Sequence, residues 1–154
     1  MAPPPKVPRR SNQELVEALE HLRYEYSMLL AVSAALRSNL ASDPLLRNVL
    51  LESFVIHFRA LVDFLYRPDN ARPDDMAAED FLGDKTDWSE VRPTISPILD
   101  SSRRRAHKEI AHLTYARLTV TESEKEWPFS EITAEIRRLM DLFQETSRWN
   151  LSNA

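Results

Sequence analysis

Cysteine is absent from this chain of 154 residues, which excludes disulfides, thiolate-bound zinc and a thiol nucleophile and removes any argument for an oxidising compartment. Glycine occurs once, at Gly83. The phosphate loops of nucleotide-binding folds need several close backbone approaches that only glycine permits, so they are excluded too. Long hydrophobic runs are also missing. The longest uncharged apolar-leaning stretch, Tyr26 to Leu36, falls well short of the ~20 residues that span a bilayer, and the N-terminus lacks a signal peptide's apolar centre. A cytoplasmic protein with no membrane contact is expected. Nor is there an excess of positive charge. A net charge of −4 argues against broad nucleic-acid binding, which runs on a basic surface that releases counterions. A local basic cluster stays open as a specific RNA site.

What is present describes one globular domain. Hydrophobic residues make up 43% and charged residues 29%, so the chain can build a core, and at this length folding buries roughly 70% of the unfolded chain's surface. Residues 1–10, with four prolines and three basic residues, read as a flexible Pro-rich tail. The domain is expected over 11–150.

Ser11 and Glu14 form a capping-box pattern that opens a helix. Apolar residues then recur at Leu15, Leu19, Leu22, Tyr26, Leu29, Leu30 and Leu36, with Ser33 in the same stripe, as far as Ser38 or Asn39. Ser42 or Asp43 caps a second helix with Pro44 in its first turn, where the missing amide costs nothing. This helix runs to about Tyr66, ahead of Pro68. Its densest face is Leu46, Leu50, Phe54, His57, Leu61 and Phe64, yet Leu51, Val55, Ile56 and Val62 surround the cylinder, so it is expected to be the most buried helix. Glu52, Arg59 and Asp63 share its polar face.

Between Arg67 and Arg92, Pro68, Pro73, Gly83 and many aspartates interrupt any periodicity. One short helix is expected there, Asp75 to Leu82 capped by Asp74, with Met76, Ala77, Phe81 and Trp88 covering an end of the bundle. A third long helix begins between Val91 and Pro97 and continues to about Ala116, with Ile95, Leu99, Ser102, Ala106, Ile110 and Leu113 inward. Pro128 or Ser130 opens a fourth, whose stripe is Ile132, Ile136, Leu139, Met140 and Phe143, with Trp149 at its frayed end. The fold class is all-α: an antiparallel four-helix bundle with a long loop carrying a short extra helix.

The third helix holds the densest chemistry, Arg103 to Thr114, reading Arg-Arg-Arg-Ala-His-Lys-Glu-Ile-Ala-His-Leu-Thr. At about 100° per residue, Arg105 and His112 share a side with Glu109 between them, while His107 falls on the other flank. The two histidines are not spaced to chelate one metal. Glu109 and His112 make one Glu-x-x-His element, but a di-iron bundle needs a second copy and further glutamates, and none is found. No metal and no cofactor are expected. His57 sits between Phe54 and Leu61 on an apolar face, where a histidine satisfied inside the core is the ordinary outcome.

Arg105-x6-His112 within an all-helical chain resembles the arginine-to-histidine motif of the HEPN superfamily. Members with that motif are commonly metal-independent ribonucleases, often toxins or antiviral effectors, with sites formed across a homodimer. The resemblance implies proton transfer by His112, phosphate stabilisation by Arg105, electrostatic help from Lys108, and orientation by Glu109 or His107. It also implies RNA and an antitoxin-type protein as partners. The chain departs from the commoner pattern in placing Ala106 directly after the arginine. Glu52, His57 and Arg59 partly match a Glu-x-Phe-x-x-His-x-Arg-like stretch of uncharacterised bacterial helical proteins, to which the chain is similar. The chemistry is coherent, since a histidine titrating near neutrality can move a 2′-hydroxyl proton while a guanidinium stabilises the developing charge.

The other reading is a noncatalytic dimeric helical module that binds a protein or small ligand. The apolar circumference of the second helix and the aspartate-rich loop motivate it. A homodimer is expected in either case.

Overall fold

The first helix starts where the capping pattern places it. In a computed structural model that describes residues 9–109, 115–121, 125–147 and 149, the Ser11 side chain accepts from the Glu14 amide and the Glu14 carboxylate accepts from the Ser11 amide. Helix α1 then spans Asn12–Leu36. Asp43 is the cap of α2, Pro44–Leu65, accepting from the Leu46 amide at 2.8 Å with Pro44 in the first turn. The other α-helices set out among the described residues are a short α3 at Trp88–Val91, α4 at Pro97–Glu109 and α5 at Phe129–Thr146. Among the described residues there is no strand, and the fold is all-α: four main helices with a short extra helix in the connecting loop.

Side-chain contacts fix the helix directions. His57 of α2 meets Glu25 in the middle of α1, and the hydroxyls of Ser33 (α1) and Thr133 (α5) lie 2.9 Å apart. The phenylalanine pairs Phe54–Phe129 and Phe64–Phe143 set α2 and α5 parallel. Tyr66 donates to the Pro93 carbonyl and Arg103 meets Asp63, so α4 runs back against α2. The bundle is up-down-up-down, and the long loop leaves and returns at one end. Phe54, Phe58, Leu61 and Leu65 of α2 fill the centre with Leu29, Leu99, Ile132, Ile136 and Met140.

Three expectations are corrected here. The Asp75–Leu82 helix is replaced by a single 3-10 turn, Ala78–Phe81, because the Asp75 carboxylate turns back to the Arg72 amide and Asp80 accepts from the Ala77 amide. No described helix starts at Asp74: the 3-10 turn is entered at Ala77, and the α-helical turn of the loop is α3, capped by Asp87. α2 holds more buried residues than any other described helix, as its apolar circumference predicts, but its first turns are open: Leu45 is 74% exposed and Val49 53%. The described residues leave this end open, and Leu46 of the expected inner face is exposed as well.

Residues 1–8 lie outside the described residues. Arg9 pairs with Asp84 and Arg10 donates to the Pro73 carbonyl, which ties the start of the described chain to the long loop. The Arg9 pair is exposed and adds little stability. Of the core face expected for α4, Leu99, Ser102 and Ala106 are buried, while Ile110 and Leu113 lie outside the described residues.

Burial raises the pKa of the Tyr26 and Tyr66 phenols above 10.0, with Asp141 and Glu135 adding to the respective shifts. The sign follows from linkage: a folded pKa above the unfolded one gives stability that is complete below about 10 and lost as pH rises through the folded value. Urea midpoints are therefore expected to fall between pH 9 and pH 11, and Tyr26→Phe is expected to lessen the fall. An unchanged fall in the variant would remove Tyr26 as a cause.

Candidate functional site: a cationic cleft between α2 and α4

The basic run of α4 divides between two environments. Arg105 turns toward the segment that leads into α5. Its Nε–H is shared between both oxygens of Glu109, at 2.8 and 2.7 Å, and its Nη1 donates to the Glu126 carbonyl at 2.6 Å. The guanidinium carbon lies 4.3 Å from the centre of the Trp127 ring, a cation–π contact that strengthens as water is excluded. Its side chain is 19% exposed. Two of its three nitrogens and one face are thus held within the fold.

The neighbours of Arg105 face the other way. Arg103, Arg104, His107 and Lys108 line a cleft whose opposite wall is Arg59, Asp63 and Arg67 of α2 and its C-terminal extension. The spacing explains the division: 104, 107 and 108 return to one side of a helix, whereas 105 and 109 fall on another. Arg103 Nη2 sits 2.6 Å from Asp63 Oδ1, a close charge contact although the N–H is not aligned as a hydrogen bond. Arg59 Nε is 3.8 Å from the other Asp63 oxygen, and Arg104 pairs with Asp100. Arg67 donates to the Arg72 carbonyl, not to a carboxylate. Lys108 makes no ion pair among the described residues. This part of the cleft has a volume of about 590 Å³. A second lobe of about 560 Å³, which shares Arg59, Asp63 and Arg67 with the first, reaches His21 and Glu25 of α1 and Arg72 and Asp75 of the loop.

His57 is buried between α1 and α2, with its Nδ1 2.6 Å from Glu25 Oε2 and its ring edge-on to Tyr24. A carboxylate can only accept, so the proton is on Nδ1. Because Glu25 also lines the second lobe, this pair stands behind the cleft wall. Replacing His57 by Leu removes a hydrogen bond to a charged group, and a loss of about 2 kcal/mol is expected from urea unfolding. A loss below about 0.5 kcal/mol would show the bond to be dispensable.

Of the residues that the sequence singles out, the structure brings Arg59, His107 and Lys108 to one cleft, sets Arg105 on Glu109 away from it, and places His57 in the α1–α2 contact. His112 lies outside the described residues. Among the described residues no three histidine, aspartate or glutamate side chains converge as a metal site requires, and no helix is long and apolar enough to cross a membrane. Glu25 and Arg67 were not foreseen. Glu25 could have been noticed as a carboxylate beside the inward positions Leu22 and Leu29, where a charge needs a partner; Arg67, beyond the end of α2, carries no such signal.

Fold and site together define an all-helical bundle with a mixed-charge, mainly cationic cleft between α2 and α4. Comparison with protein-family models, with curated proteins and with solved structures yields no match.

Proposed function

We propose that this chain is a noncatalytic dimeric helical module that binds a small ligand in the α2–α4 cleft. The observation that carries this reading is the engagement of Arg105 by Glu109, Trp127 and the Glu126 carbonyl. A guanidinium so held would have to leave a carboxylate before it could stabilise a phosphate in a transition state.

Pairing through α2 rests on its uncovered stripe. Leu45, Val49 and Ile56, the last 58% exposed, fall on one side of the helix at steps of four and seven. Covering each of these half-exposed side chains is worth about 1–2 kcal/mol, and a two-fold pair doubles the number. That total, roughly 6–12 kcal/mol, is comparable to the roughly 4–15 kcal/mol cost of association, so contacts beyond the stripe must also contribute to a stable dimer. Sedimentation at tens of micromolar is expected to give a dimer for the wild type and a monomer for the doubly substituted Val49→Glu, Ile56→Glu chain. A wild-type monomer would remove the pairing.

The second reading is the metal-independent, HEPN-type ribonuclease, a toxin or defence-like enzyme with His112 in proton transfer, Arg105 on the phosphate and an antitoxin-type partner. The cations of the same helical run at an open cleft favour it. Labelled RNA incubated with the protein in EDTA decides between the two. The proposed module leaves the RNA intact, whereas cleavage that disappears in His112→Ala would establish the nuclease in its place.

A further inference from the structure

We infer that the ligand of the cleft is a phosphorylated small molecule of about nucleotide size, with its phosphate in the α4 lobe and an uncharged polar body in the α1 lobe. The inference deepens the binding-module reading and rests on it. Charge separates the lobes. The α4 lobe is lined by five cations, Arg59, Arg67, Arg103, Arg104 and Lys108, against three carboxylates, Asp63, Asp69 and Asp100. Asp63 serves both Arg59 and Arg103, and Asp100 holds Arg104. Arg67 and Lys108 are left without a carboxylate among the described residues. That excess of two positive charges matches a phosphate monoester, which carries about −1.5 to −2 at neutral pH.

The α1 lobe differs. Beyond Arg59, Asp63 and Arg67, which line both lobes, it adds one cation, Arg72, against two carboxylates, Glu25 and Asp75, so it offers hydrogen-bond donors and acceptors with no further pull on an anion. A polyanionic strand reaching into it would meet those added carboxylates and gain only one new cation. Each lobe, at about 560 and 590 Å³, lies inside the ~300–1,000 Å³ range of small-molecule sites. An isolated phosphate would leave most of that space unfilled.

Isothermal titration with AMP as the probe, and with adenosine and a twelve-nucleotide RNA as the comparison arms, tests the assignment. AMP is expected to bind and adenosine not to. Lys108→Glu and Arg67→Gln are each expected to weaken AMP about tenfold or more, the cost of one charge-assisted contact, with helical circular dichroism unchanged. Lys108 is exposed, so its substitution leaves the packing alone. Absence of AMP binding at millimolar concentration, equal binding of adenosine, or AMP binding unaffected by both substitutions would overturn the proposal. RNA bound more tightly than AMP through the same residues would also overturn it, in favour of a polymer. Cleavage dependent on His112 would remove the noncatalytic reading without changing this titration, so the two failures are distinguishable.

Discussion

Replacing Trp88 by alanine is expected to lower the unfolding free energy by about 4 kcal/mol, the largest effect of any single substitution considered. Trp88 has no exposed surface, and its indole N–H donates to the Leu65 carbonyl at 2.8 Å, in the last turn of α2. Its ring stands edge-on to Phe143, which in turn meets Phe64 and Phe81. One side chain therefore fastens the long loop to the bundle and satisfies a carbonyl that the helix end leaves without an amide partner. The loss is a large part of the ~5–15 kcal/mol that holds a domain folded. Trp88→Phe separates the two contributions, since it keeps most of the apolar volume but strands the carbonyl. It is expected to lose about 1–2 kcal/mol from the hydrogen bond. Urea unfolding reads both; equal losses in the two variants would show that packing around the ring is not what matters.

The second large effect belongs to Arg105. Arg105→Ala removes the hydrogen bonds to Glu109 and Glu126 and the contact with Trp127 together. Charge-assisted bonds of this kind are worth about 1.5–3 kcal/mol and a partly dry cation–π contact adds about 1. A loss of about 3 kcal/mol is expected in urea. Arg105→Lys keeps the charge but not the planar group that stacks on the indole while reaching two acceptors, so it recovers less than half. Glu109→Gln is expected to cost less in the Arg105→Ala background than in the wild type, by the coupling that a double-mutant cycle isolates. Additive losses would mean that the two residues do not act as a pair. A residue kept only for catalysis would show little or no stability loss, as strained functional sites often do.

Much of the architecture was legible because local rules carried it. The Ser11–Glu14 box and the Asp43–Pro44 start are decided within four residues, and the stripe of α5 from Ile132 to Phe143 is buried throughout. Periodicity reports which side of a helix is apolar but not whether another element lies over it. The difference explains Leu45 and Val49, apolar residues that stay exposed. In the aspartate-rich loop several side chains compete to bond nearby amides; Asp75 and Asp80 close local turns where the sequence predicts a helix capped by Asp74. Trp149, expected at a frayed end, packs against the core and meets Phe81 edge-on.

The site was legible only as a composition of charge. The helical angle put Arg105 and Glu109 together, and the structure pairs them. Nothing local could show Trp127 covering the guanidinium, because that contact joins α4 to the segment preceding α5. The cleft depended equally on a distant partner: Arg103 and Lys108 gain meaning from Asp63 on the facing helix and from Arg67 just beyond its end. The Glu25–His57 pair bridges two helices in the same way.

The division of the basic run into a cation held by the fold and cations that face a ligand can be observed directly in arginine side-chain N–H spectra during titration with AMP. The Nε–H resonances of Arg67 and Arg103 are expected to shift as AMP binds, while that of Arg105, held by Glu109, stays in place. Movement of the Arg105 resonance together with, or instead of, the other two would contradict the account and put that guanidinium on the phosphate.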